Sequence, residues 1–200
     1  MLLYGASGHA KVLIDALKCN NEEIELLFDD DRDVTDLLNY KVDSYDKNKY
    51  AKKELIVAIG NNRIRKKIVS IIKHRFGIIK CKFAIVSESS FIGEGSVILH
   101  GAIIQPFTQI GKHVIINTNS SVDHDCIIND FVHIAPGVAI AGGVSVGEGT
   151  LIGVGASVVP NVKIGNWCTI GAGSVVVNDL PDMAVAVGNP ARIIKYNTIL

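Results

Sequence analysis

The sequence predicts a β-helix of three-sided coils preceded by a small α/β unit, and three observations predict it. Every sixth residue from Val86 to Val176 is isoleucine or valine, running through Ile92, Ile98, Ile104 and onward without a break. That period is neither the helical one of about 3.6 nor strand alternation, and a fixed short repeat marks a solenoid of short strands. The intervening positions keep step: Gly93, Gly111, Asn117 and Asp123 each follow an anchor, and Ser96, Ala102, Thr108 and Cys126 stand four residues after one. The first eighty residues carry a different rhythm, in which strands alternate with helices.

In chain order, Leu2 to Tyr4 reads as a strand entering the turn Gly5-Ala6-Ser7-Gly8-His9. A helix follows through Val12, Leu13, Ala16 and Leu17. A second strand, Ile24 to Phe28, ends in Asp29, Asp30 and Asp31, and residues 32–53 read as a polar connection with little core. A third strand, Leu55 to Ile59, ends in Gly60-Asn61-Asn62, and the helix after it carries Arg63, Arg65, Lys66 and Lys67. These ends converge where open α/β sheets place ligands, so Ser7, His9, Asp29, Asp30 and Gly60 are expected to line a substrate pocket. The unit is Rossmann-like but holds one mononucleotide half, which argues against a complete NAD site. Glycines in a tight turn and a capping role for His9 are the alternatives to ligand contact.

The six-residue units each supply one face and one corner of a prism, so residues eighteen apart should stack, over about five coils, until Pro181 and Asp182 break the phase. The chain is expected to divide into an α/β domain over 1–82, a β-helix over 83–180 and a C-terminal cap and tail over 181–200. One outward column reads Val97, Ile115, His133, Leu151 and Thr169. Such a stripe suits a partner contact, and self-association along it with His133 in the interface is expected, a covering by the C-terminal tail being the alternative.

Formal net charge is zero and 48% of residues are hydrophobic, so neither nucleic acid nor an acidic membrane is implied. The start reads as a strand and glycine turn rather than a signal peptide, and no apolar run is long enough to span a bilayer. Cys19, Cys81, Cys126 and Cys168 show no metal or disulfide spacing, which points to a reduced cytoplasmic protein. His74, His100 and His113 carry no motif and are expected at the surface.

A Gly-Ala-Ser-Gly-His α/β domain, Phe28-Asp29-Asp30, Ala58-Ile59-Gly60-Asn61-Asn62, Asn117-Thr118, His124, His133 and the closing Val187-Gly188-Asn189-Pro190-Ala191 together resemble the bacterial nucleotide-sugar N-acetyltransferases. The likeness is nearest to the UDP-4-amino-sugar acetyltransferases of bacillosamine synthesis, with sialic-acid O-acetyltransferases as relatives, and covers essentially the whole chain. It implies a homotrimer of left-handed β-helices with acetyl-CoA between neighbouring subunits and no metal. It also implies His124 as general base, its basicity raised by Asp125, where the family usually has glutamate. Acetyl-CoA contacts carry over to Asn117, His133, Gly142, Val154 and Ala172, the last usually glycine. The nucleotide sugar would be held through Ser7, Gly8, His9, Asp29, Asp30 and Gly60.

The chemistry fits these residues. Only a neutral amine attacks a thioester, and a histidine with a pKa near 6.5 can take the amine's proton near neutrality. An oxyanion needs a preplaced donor, and Gly142 lies eighteen residues after His124, so its backbone should stack beside it. A Cys126 nucleophile is disfavoured because its register points it into a corner. Rival readings are O-acetylation of a sugar hydroxyl, a trimeric zinc carbonic anhydrase and a non-catalytic module. The zinc reading suffers because no two of His100, His113, His124 and His133 stand eighteen apart.

Overall fold

The computed structural model describes residues 1–198. Its first domain is built from strands β1 (Leu2–Tyr4), β2 (Leu26–Phe28), β3 (Asp36–Leu37), β4 (Tyr40–Asp43) and β5 (Leu55–Val57) and helices α1 (Gly8–Cys19) and α2 (Asn62–Ile71). The sheet order is β3-β4-β2-β1-β5, with β1 parallel to both β2 and β5. All three residues of each of these central strands are buried, as expected of strands covered on both faces. Leu3, Leu27 and Ile56 pack with α1 on one face, and Tyr4, Phe28 and Val57 pack with Ile68 and Ile72 on the other. The segment 32–53 is not a bare connection. It forms the β3–β4 hairpin, and β4 adds to the sheet in parallel with β2 and buries Val42. Two- and four-residue strands flanked by charge leave too little periodicity to read.

The remainder is a left-handed parallel β-helix whose two-residue strands form three sheets. Strands pair eighteen residues apart, as Ile103 with Ser121 and Ile115 with His133. The aliphatic anchors point inward into one continuous core running from Ile92 to Val176. The corners show a second six-residue period. Gly95, Gly101, Phe107, His113, Asn119, Asp125 and Phe131, and on to Gly173, all have φ between 54° and 75°. Left-handed backbone is needed at each bend, which favours glycine, asparagine and aspartate there. Small polar side chains close the corners: Thr108 Oγ1 donates to the Asp123 carbonyl at 2.6 Å, and Cys126 Sγ donates to that of Ala141 at 3.2 Å. Burial raises the Cys126 thiol pKa, so this residue is packing, not a nucleophile.

Sheet pairing begins before residue 83, because β6 (Ile79–Lys80) already pairs with Val97–Ile98. At the other end, the phase break at Pro181 is followed by the strand Ala184–Val187, which continues a sheet in parallel with Thr169–Ile170. The chain then turns back as Arg192–Tyr196.

The outward stripe expected to drive self-association is covered within the chain. Val97 and Ile115 are 2% exposed and share a core with Leu3, Leu13 and Leu17 of the first domain. The tail reaches the far end, where Asn197 Nδ2 donates to Thr169 Oγ1 at 3.1 Å. The stripe is apolar because the chain's own α/β domain docks on it, so the expectation of a subunit contact there is corrected. His74 and His113 are buried rather than at the surface. His74 bonds Tyr45 and the Lys49 carbonyl, while His113 sits between Phe76 and Phe131.

Docking is fastened by Arg65, 1% exposed and facing no carboxylate within ion-pair distance among the described residues. Its Nε donates to the His113 carbonyl at 3.0 Å and its Nη2 to that of Phe131 at 2.8 Å, on successive corners of the β-helix. Its Nη1 donates to the carbonyls of Ile59 at 2.9 Å and Gly60 at 3.2 Å. Asn62 takes the next corner, donating to the Gly149 carbonyl at 3.0 Å. Burial lowers the Arg65 pKa to about 9, which keeps the guanidinium charged at neutral pH. Arg65→Met should strand these carbonyls and cost at least about 3 kcal/mol, read as a lower urea midpoint. Arg65→Lys should not restore it, since one ammonium cannot span the same fork.

Candidate active site

The expected site residues fall into three groups. Ser7, Asp29 and Asp30 line a cavity of 360 Å³ with Tyr4, Gly5 and Ile64, at the C-terminal ends of β1 and β2. Asp29 braces this turn, accepting from the amides of Ala6 at 2.6 Å and Asp31 at 3.0 Å. Asp30 accepts from the Tyr4 hydroxyl at 2.5 Å through one oxygen, leaving the other free for a ligand. Burial, then that bond, pushes the Tyr4 pKa up. Gly8 opens α1, whose first turn holds no acidic residue and whose N-cap, Ser7, makes no side-chain capping bond. Free amides at this end suit an anion such as a phosphate.

Gly60, His133 and Val154 belong to a second cavity, of 490 Å³, between α2 and the β-helix. Ala135, Pro136, Leu151, Gly153 and Trp167 give it a mostly apolar wall. His133 is fixed by two bonds that define its tautomer: its Nδ1 donates to the Gly60 carbonyl at 3.3 Å, and its Nε2 accepts from Asn117 at 3.1 Å. The His9 ring lies 6.4 Å away, its Nε2 enclosed and without a partner among the described residues. Burial, then the neighbouring Arg65 charge, holds both His9 and His133 near a pKa of about 4, so both are neutral at physiological pH. Ala172 stands exposed at the corner position eighteen residues after Val154.

His124, Asp125 and Gly142 occupy a different edge of the prism. That corner follows the strand Ser121–Val122, whereas Asn117 lies at the corner before it. His124 Nδ1 meets Asp125 Oδ2 at 2.7 Å, so the shorter aspartate makes the contact that glutamate would make. Asp125 sits at the left-handed bend with φ 56°, a conformation a short carboxylate tolerates well. The bond to Asp125, then the charge of Asp123, raises the His124 pKa. A Cβ on Gly142 would lie 2.7 Å from His124 Nε2, so the ring is stacked directly over this glycine. The pair is exposed, and neither residue lines either cavity of its own chain.

Sequence reasoning missed Arg65, Asn62 and Trp167. Arg65 reads in the sequence as one of four cations on the helix after the third strand, and its three-residue spacing from Asn62 is the available sign of a shared face. Trp167 is a corner residue whose ring lies 4.9 Å from the Arg63 guanidinium, closing the second cavity. The histidines do not converge: His113 and His133 are committed to separate interior contacts, and His124 is at another corner.

Residues 1–72 match the family model of the PglD N-terminal domain, and residues 143–178 match that of the bacterial transferase hexapeptide, six repeats. Among solved structures, the chain is similar to PerB from Caulobacter crescentus, crystallised with CoA and GDP-perosamine. Identity is 39%, over 97% of this chain and 96% of that one, with a TM-score of 0.92. The acetyltransferase domain of PglB from Neisseria gonorrhoeae, in complex with acetyl coenzyme A, is 33% identical over 96% and 98% of the two chains, with a TM-score of 0.90. WeeI from Acinetobacter baumannii is 30% identical over 96% and 98%, with a TM-score of 0.88. With both domains matched in order and over nearly their whole length, the chain belongs to the acetyl-CoA-dependent nucleotide-sugar N-acetyltransferases of the hexapeptide-repeat type.

Proposed function

We propose that this chain acetylates the amine of a nucleotide-linked 4-amino-4,6-dideoxy sugar, with His124 as general base, in a site shared between two copies of the chain. The observation that carries the reading is the His124–Asp125 pair, with Nδ1 held at 2.7 Å and Nε2 bonded to nothing among the described residues. With Nδ1–H donated to the carboxylate, Nε2 presents its lone pair outward, ready to receive the proton of an attacking amine. Acetyl-CoA supplies the activated acyl group, and the apolar wall of the second cavity suits its flexible arm. His124 returns the proton to the departing sulfur, so no covalent enzyme intermediate is needed. The amide of Gly142 donates to no group among the described residues and lies under the His124 ring, where it can support the charge on the acyl oxygen.

The geometry of the prism supports completion by a neighbour. The apolar cavity spans the sheet face that carries His133, Leu151 and Thr169 as far as the Pro136 and Val154 corner, and His124 stands at the corner one strand further on. A homotrimer that sets one chain's His124 against the next chain's cavity satisfies both, and the strands Ser121–Val122, Ala139–Ile140 and Ser157–Val158 offer a shallow, small-residue face for close approach. No helix among the described residues is long and apolar enough to cross a membrane. We infer a cytoplasmic reaction in surface-glycan synthesis from the proposed substrates, acetyl-CoA and a nucleotide sugar. UDP is the expected nucleotide, and GDP is its competitor because PerB was crystallised with GDP-perosamine.

Thiol release from acetyl-CoA against UDP- and GDP-linked amino sugars should show turnover with one 4-amino sugar, reduced by about 10²-fold or more in His124→Ala. Unchanged turnover in that variant would remove His124 as the base. Mixing two inactive chains, His124→Ala and Gly60→Trp, should restore part of the activity if each supplies what the other lacks; separate sites in each chain predict none. Asp125→Asn removes the main cause of the raised His124 pKa, so the base form should persist to lower pH. The acid limb of kcat/KM and the His124 ring titration seen by NMR should move downward together.

A further inference from the structure

The two domains meet again along the C-terminal half of α1, at residues that line neither cavity. Asp15 and Cys19 are one helical turn apart and so project from the same face of α1. His100, at a β-helix corner, faces them. The carboxylate oxygen, the thiol sulfur and the imidazole nitrogen all lie within 4.8 Å of one another. His100 Nε2 is 3.4 Å from Asp15 Oδ2, yet it is enclosed and makes no hydrogen bond among the described residues. A simple ion pair would orient that nitrogen toward the carboxylate and would leave the sulfur without a role.

The platform is held from both sides. Asn20, next to Cys19, donates to the Lys80 carbonyl at 2.8 Å and accepts from the Lys82 amide at 2.9 Å, tying the end of α1 to the start of the β-helix. The His100 carbonyl accepts from the Asn119 amide at 2.9 Å, and its ring stacks on Phe83 with centroids 6.4 Å apart. Both halves of the cluster are therefore oriented before any ligand arrives.

We propose that Asp15, Cys19 and His100 form a site for a zinc-class divalent cation that clasps α1 to the β-helix. One oxygen, one nitrogen and one sulfur donor suit a borderline-soft ion, whereas magnesium and calcium require oxygen ligands. Ligand bonds of about 2.0–2.3 Å demand only a small closure of the present separations. Three protein donors leave a fourth tetrahedral position for water, which the 71% exposed Asp15 side chain leaves accessible. The ion is a structural clasp held by residues that line neither cavity, and its presence is independent of which sugar the enzyme acetylates.

Untagged full-length protein stripped with chelator and titrated with Co²⁺ tests the site. One equivalent should bind per chain, with a thiolate-to-cobalt charge-transfer band in the near ultraviolet that Zn²⁺ abolishes by displacement. Zn²⁺ should also raise the unfolding temperature. Cys19→Ser and His100→Gln should lose the band and the stabilisation while keeping the wild-type circular dichroism spectrum and acetyl transfer. Asp15→Asn, at an exposed helix position that cannot disturb the core, should weaken uptake should either of those variants misfold. Absence of the band, or a band that Cys19→Ser leaves in place, overturns the proposal, as does uptake lost in His124→Ala instead.

Discussion

The β-helix and every corner it presents are placed by one constraint, the return of the chain to the same corner after eighteen residues. It requires an inward aliphatic every sixth residue and a left-handed bend every sixth residue, and the two series interlock. Because side chains stack at that interval, His124 comes to rest over Gly142, where only a glycine leaves room for the ring. The same bend sets Asp125 beside His124 with its carboxylate against Nδ1. The His124–Asp125 pair, proposed above as the base and its partner, is thus a property of the corner, assembled by backbone geometry.

The second dependency is electrostatic. A charged guanidinium buried without a carboxylate is tolerated because five groups accept from it, four of them backbone carbonyls. Those carbonyls come from both domains, so one side chain fixes the Gly60 turn relative to the β-helix and, through the Gly60 carbonyl, the orientation of His133. Its charge then acts on its neighbours. His9, His113 and His133 are all held well below the ordinary histidine range, with burial as the first cause and Arg65 as the second.

This divides the histidines by function. Those around Arg65 are neutral, hydrogen-bonding or packing groups, poorly suited to carry a proton near neutral pH. His124, exposed and paired with a carboxylate, is pushed the other way. A proton acceptor for an amine must be basic enough to take the proton and must reach solvent or substrate, and the surroundings of His124 favour both. The separation of His124 from both cavities of its own chain is the reason the proposed site calls on a second chain.

The repeat alone determined the β-helix, the stacking of Gly142 beside His124 and the corner burial of Cys126, because a fixed period leaves no freedom in register. The glycine turn and the ends of β1, β2 and β5 were equally legible, since strand–turn–helix signals are local. The β3–β4 hairpin was not, because strands this short among charges carry no pattern. Nor could the sequence say what covers the stripe from Val97 to Thr169: an apolar face looks the same whether a second chain or the chain's own first domain lies on it. Only the tertiary structure decided that the first domain docks there. It alone singled out Arg65 from the neighbouring cations and brought Asp15 and Cys19 to His100, since these contacts join residues between 48 and 85 positions apart, beyond the reach of any local period.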